Sequence, residues 1–345
     1  MKQPRRLGLI IPWALFALIA LGWTAYWNML AHRARAYLEE AFAAERARGA
    51  HMTIGETSLR GFPLQCAFEL RDVSYAPAGG AFAAMTQRVI VHVNVLNAQH
   101  VIVAFPAPLA FTRRDGRATS ISGQGALLSV HTAAGALARA SFEADALALS
   151  DPAKPAEATR FGRTLLHLRP DPRTPGAYQL AAQFEHIVLP RPAASLEGLG
   201  QEIAALDIAM VIEQGAALFN APRGDALGAW AATGAQARLE GFGISWGAAQ
   251  GAGHGAVRID AERRLAGALS FKLEQPAQAF AALARSPALS RDARQGLQTA
   301  ALAASFSQGA LEIPLTAADG WLRVGPARVK ELKPLYRPAS GPVFD

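Results

Sequence analysis

One cysteine, Cys66, stands in a chain of 345 residues. No intrachain disulfide can form, and no multi-cysteine zinc site either. Cys66 alternates with Leu64, Phe68 and Leu70, the pattern of a small core residue rather than of a nucleophile. Lysine is scarce too. Only five of the 34 basic residues are Lys, which fits a genome-wide preference for Arg. The eight histidines are scattered. His92 and His100 fall on neighbouring expected strands and can approach across a hairpin, but no adjacent acid or Cys completes a metal site. They read as ordinary sheet-surface residues. Glu143 and Asp145 share one strand face and read as solvated acids rather than a catalytic pair. Basic residues are not gathered on a nucleic-acid motif. Residues 1–48 hold seven Lys or Arg and three Glu, so most of the formal charge of +7 surrounds the first helix. A nucleic-acid partner is therefore not expected.

The longest absence is of charge. From Leu7 to Trp27 the chain reads LGLIIPWALFALIALGWTAYW without an ionisable acid or base. About 21 helical residues cross a hydrocarbon layer of ~30 Å. The expected anchor contacts are Leu9, Ile10, Ile11, Leu15, Phe16, Leu18, Ile19 and Leu21, with Trp23 and Trp27 at the interface. Pro12 lies in the first turns, where a missing N–H costs least. A cleaved signal has an apolar core of only ~7–15 residues. The best small-x-small site, Ala20-Leu21-Gly22, lies inside the apolar run. An uncleaved anchor is the favoured reading over a cleaved signal or a buried helix. Cations flank both ends, Lys2, Arg5 and Arg6 before and Arg33, Arg35, Arg46 and Arg48 after, so the positive-inside rule decides weakly. The expected orientation puts the N-terminus in the cytoplasm and the following body in the periplasm.

Leu30 to Arg48 continues as a helix with a stripe at Leu30, Ala34, Tyr37, Leu38, Ala41 and Phe42. Its expected role is packing on the first strands, with membrane-surface contact as the alternative. Arg35 and Glu39 form an i,i+4 pair, and Gly49 is a stop. From His51 the period becomes 2. Strands are expected around Met52–Leu59, Leu64–Leu70, Arg88–Leu96 and His100–Phe105, then in shorter runs to Leu189. Seven prolines between Asp151 and Pro192 suggest short strands with rigid loops. Further strands are expected at Ile203–Glu213, Ala237–Trp246, Gly255–Asp260, Gly267–Leu273, Gly309–Thr316 and Trp321–Val324. Helices are expected at Ala226–Ala232, at Pro276–Arg285, and from a Ser290 cap to Ser305. This is a β-dominated α+β protein of curled antiparallel sheets. The expected parts are tail and transmembrane anchor (1–28), amphipathic helix (29–49), first β-rich half (50–192) and second (193–345).

Two motifs suggest chemistry. Gly243-Ile244-Ser245-Trp246-Gly247 matches a nucleophile elbow, which needs a strand, a sharp turn and a helix. A glycine-rich run and another strand follow instead, so Ser245 reads as a strand residue. Gly251-Ala-Gly253-His-Gly255 suggests a phosphate loop but lacks the helix and the Gly-Lys-Ser/Thr ending. It reads as a flexible hairpin connection, and no cofactor is expected.

Three stretches carry a resemblance. They are Ser58-Leu59-Arg60-Gly61-Phe62-Pro63; Gly255–Asp260 returning through Gly267–Leu273; and Leu311-Glu-Ile-Pro-Leu315 with Asp319-Gly-Trp-Leu-Arg-Val-Gly-Pro326. Together, over about residues 5–335, the chain resembles the bacterial family called domain of unknown function 2125. That family is similar to AsmA-like envelope proteins, whose sheets curl into lipid-handling grooves. The resemblance brings no catalytic residues. It implies a non-enzymatic envelope protein that binds or passes lipid-like molecules, with the bilayer, a lipid ligand and an envelope protein as partners. An apolar trough is expected at Leu64, Phe68, Val89, Val91, Val93 and Val95, against the plainer reading of these residues as core. An adaptor for an envelope complex is the alternative, and a serine hydrolase using Ser245 the remote one.

Overall fold

The computed structural model describes residues 7–335, apart from 64, 79–81, 95–96, 114, 134–135, 192–193, 221–225, 288, 307–308 and 325–326. Its first element is one helix, α1 (Leu7–Ala47), 41 residues long. At ~1.5 Å per residue it is a rod of roughly 60 Å. The span and the amphipathic segment are thus continuous. The helix ends where Gly49 takes a φ of +86°, which costs glycine little.

The strands that follow form one antiparallel sheet laid down largely in chain order. β1 (His51–Thr53) and β2 (Glu56–Arg60) both pair with β3 (Gln65–Ala76), which pairs with β4 (Phe82–Asn94). β4 pairs with β5 (Asn97–Ala104) along one half and β6 (Leu109–Arg113) along the other. β7 (Ala118–Ala133) pairs with both of these and with β8 (Ala136–Asp151). β8 in turn pairs with β9 (Lys154–Arg160) and β10 (Arg163–Pro170). A meander then runs through β11 (Tyr178–Val188), β12 (Glu202–Ile212), β13 (Ala237–Trp246), β14 (Ala249–Ile259), β15 (Leu265–Leu273), β16 (Leu311–Ala318), β17 (Trp321–Val324) and β18 (Ala327–Glu331).

Breaks in some strands meet bulges in their partners. β5 and β6 are separated by Pro106 and Pro108, which cannot donate to a ladder. Non-glycine residues with positive φ stand within β3 (Asp72), β8 (Ala146) and β11 (His186). At Ala146 the N–H leaves the ladder to bond the carbonyl of Gly162, between β9 and β10. Such bulges bend a long strand and increase its twist.

The expected division falls on Pro192, outside the described residues. The strands flanking it, β11 and β12, pair from Tyr178↔Ile212 to Val188↔Glu202. Hydrogen bonding therefore runs across that point.

The glycine-rich run 251–255 lies inside β14 instead of forming a connection. The expected loop fails for a packing reason. A side chain at Gly251 or Gly255 would strike the backbone of β15, and Phe271 and Leu269 occupy the space above. Glycine here allows close approach of a neighbouring strand, not a turn.

Helices occupy the connections. α2 (Ala216–Asn220) and α3 (Ala226–Ala232) join β12 to β13, and α3 buries Trp230, whose Nε1 donates to the Glu213 carbonyl at 2.7 Å. α4 (Pro276–Leu283) and α5 (Arg291–Phe306) join β15 to β16. The Ala293 N–H donates to Ser290 Oγ at 3.2 Å, so Ser290 caps α5 as expected.

Candidate functional site

Cross-strand partners point to the same side of a sheet. Following the register therefore sorts the residues into two faces. One face is apolar almost throughout. Phe68 pairs with Val91, Val91 with Val103 and Val103 with Leu128. Leu128 pairs with Phe142, Phe142 with Leu166, Leu166 with Ala182 and Ala182 with Ile208. Ile208 pairs with Phe242, and beyond Gly253 the row continues through Phe271 and Ile313. The opposite face carries Glu69, His92, Ser129, Ser141, His167, Gln183 and Asp207 at intervening positions.

The apolar face is covered unequally. Over β3, β4 and β5 it packs against α1. Phe68 (1% exposed), Cys66, Leu70, Val89, Val91 and Val93 form one buried cluster with Trp27 and Ala31, and Leu30, Ala34, Leu38 and Phe42 pack onto it. Four expected trough residues, Phe68, Val89, Val91 and Val93, thus lie beneath the helix. Leu64 and Val95 lie outside the described residues. Burial raises the pKa of the Cys66 thiol and leaves it unreactive. From β7 onward the same face carries Leu128, Phe142, Leu166, Leu180, Ile208, Met210, Phe242 and Phe271 in a half-buried state. α4 packs against β14 and against a short 3-10 turn at Ala194–Leu199. There the Gly198 N–H donates to Ser286 Oγ at 2.9 Å.

The packing stripe of α1 begins earlier than the sequence pattern suggests. It runs Trp23, Trp27, Leu30, Ala31, Ala34, Leu38, Phe42. Tyr37 and Ala41, expected on the stripe, face solvent instead. The uniform apolarity of the span hid the first two positions, because no polar residue marks the other side of the helix there. Trp27 is 8% exposed and its Nε1 donates to the Gln65 carbonyl at 3.1 Å. Trp23 Nε1 donates to the Pro63 carbonyl at 2.9 Å. Below them Ile11, Leu15, Phe16, Leu18, Ile19 and Leu21 are exposed, Leu18 at 70%. Leu9 and Ile10 belong to the helix, and their side chains lie outside the description. Among the described residues one helix is long and apolar enough to cross a membrane.

The polar face also holds an ion cluster. Glu69 is 2% exposed and meets Arg88 at 3.0 Å, Arg71 at 3.1 Å and Arg60 at 3.4 Å. Burial alone would raise its carboxyl pKa. The hydrogen bond from Arg71 and the charges of Arg60, Arg88 and Arg71 outweigh that and hold it below the usual carboxylate range. A single Glu inside an alternating strand gave no signal, because its three partners come from three strands.

The remaining candidates separate. His92 sits opposite Ile102, while His100 pairs with His131 across β5 and β7, ring centroids 6.3 Å apart. His100 Nε2 and Ser129 Oγ are hydrogen-bonded at 2.8 Å. Among the described residues no group of three or more His, Cys, Asp or Glu could hold a metal. Ser245 lies in β13 opposite Ala205 and Gln250, and β14 follows through a turn at Gly247. The helix that an elbow requires is replaced by a strand. A shallow depression of about 510 Å³ lies over Ala181, Ala209, Gly241 and Ala252, where small side chains leave the polar face low.

No curated protein and no solved structure matches this chain. The family model described as "Uncharacterized protein conserved in bacteria (DUF2125)" matches residues 27–332, from the tryptophan where α1 enters the core, and the chain belongs to that family.

Proposed function

We propose that this is a non-enzymatic, single-pass protein of the bacterial inner membrane. Its body lies in the periplasm and binds or passes lipid-like molecules along the apolar sheet face. One observation carries this reading: the cross-strand apolar row continues from β7 to β16 with its large side chains only half-buried. A core normally buries such residues, whereas an extended half-open apolar surface marks a place where another apolar body sits. Acyl chains suit it, since they need area without specific hydrogen bonds. The tether supports the same reading, because it keeps the body next to a supply of lipid.

Native mass spectrometry of the detergent-extracted full chain tests this. Stoichiometric bound lipid that survives detergent exchange is expected. Lipid-free protein would overturn the proposal. An adaptor role is the second reading, favoured by α5, which has no buried residue and exposes Leu302 and Phe306, the latter at 81%. A stable protein partner recovered in place of lipid would support it.

A further inference from the structure

We infer that the β2–β3 corner, Gly61-Phe62-Pro63, is a second membrane contact, inserted into the interface of an anionic bilayer beside the spanning helix. The inference rests on α1 being embedded, but not on lipid binding by the sheet. Position comes first. From Leu7 to Tyr26 the helix rises about 30 Å, the thickness of a hydrocarbon core. Trp23, Tyr26 and Trp27 therefore stand at the level where aromatic rings meet headgroups. The corner is fixed at this height by two indole hydrogen bonds, Trp23 to the Pro63 carbonyl (2.9 Å) and Trp27 to the Gln65 carbonyl (3.1 Å). Phe62 meets the Trp27 ring edge-on at 5.4 Å.

Composition comes second. Phe62 is 55% exposed although it touches a buried tryptophan, and Leu59 near the end of β2 and Tyr26 on the adjoining turn of α1 are also exposed. In water these exposed apolar side chains are unfavourable; in the interface they are satisfied. Rigidity supports the same use. Gly61 has a φ of +101°, a side chain there would strike the Gln65 carbonyl, and the Gln65 N–H donates to the Gly61 carbonyl at 2.8 Å. Phe62 is thus presented on a stiff tip.

Charge comes third. Arg60 adjoins the corner, and with Arg71 and Arg88 it surrounds the single carboxylate of Glu69. The cluster carries net positive charge, and all three guanidinium side chains are partly exposed. Anionic headgroups complement it. The body is therefore held at two points and cannot swivel freely about its helix.

The test uses the full chain in phosphatidylglycerol-containing liposomes. A cysteine at Phe62→Cys is labelled with an environment-sensitive fluorophore; buried Cys66 does not react under native conditions. Leu59→Cys serves as a second reporter, Leu302→Cys on α5 as the aqueous reference and Leu18→Cys as the mid-span reference. Blue-shifted emission and quenching by shallow spin-labelled lipid are expected at 62 and 59, and water-like emission at 302. Weaker quenching is expected when phosphatidylcholine replaces the anionic lipid. Lipid-embedded label at 18 with water-like emission at both 62 and 59 would overturn the corner contact alone. Water-like emission at 18 would overturn the contact and the span together. Loss of co-purifying lipid with embedded labels at 62 and 59 leaves the contact standing and removes only the lipid-binding function.

Discussion

Two stretches of one sheet face show how the same pattern serves different ends. Over β3 and β4 the alternating Val and Phe residues sit beneath α1 and are buried, with half-buried Val101 and Val103 of β5 at the margin. Over β7–β16 an equally apolar row is half-buried. Strand composition does not distinguish them; the presence of a helix stripe does. The first stretch is therefore structural, a socket that fixes the rod to the body. The second is the surface on which the proposed lipid binding rests.

The comparison can be broken by substitution. Phe68→Ala, inside the socket, is expected to cost about 3–5 kcal/mol, because the helix and three strands close around it and relax little. A large drop in Tm by thermal denaturation checks this. Met210→Ala on the open face removes a side chain that is already partly solvated, so about 1 kcal/mol is expected in the same assay. Ile208→Asp sharpens the contrast from the other side. It should leave the circular dichroism spectrum intact and abolish lipid co-purification, since a carboxylate placed in an apolar contact must be desolvated.

Glu69 tests the polar side of the socket. Its folded pKa lies below that of the unfolded chain, so its ionised form stabilises the fold. That contribution is complete above the ordinary carboxylate pKa of ~4.3 and is lost as pH falls through the lowered folded value. Glu69→Gln should therefore lower Tm at neutral pH and bring variant and wild type together in strong acid. A Tm difference independent of pH would contradict the assignment. The smallest effect is expected at Ser245→Ala. A half-buried strand serine, followed by a strand where an elbow requires a helix, should change neither Tm nor the cellular phenotype measurably.

The sequence made α1, the strand period and several helix limits legible, because each is local. Ala226–Ala232, the Ser290 cap and the Asp319-Gly320 turn follow from neighbours in the chain. What it hid was non-local. Trp23 and Trp27 read as interface residues until the strands that accept their indole hydrogen bonds are in place. Glycines 251, 253 and 255 read as a loop because what requires glycine there, Phe271 and the β15 backbone, lies on another strand. His131 opposite His100 is hidden as well, because β5 has two neighbours and local sequence points only to the preceding one. At the candidate site, alternation identified apolar residues but not which of them α1 would cover.

Photo-crosslinking tests the contrast most directly. A benzoylphenylalanine is placed at Ile208 on the open face or at Val101 at the margin of the socket, in the full chain in native membranes. The account predicts lipid adducts at Ile208 and intramolecular adducts to α1 at Val101. Lipid adducts at Val101 with none at Ile208, or no lipid adduct at either position, would contradict it.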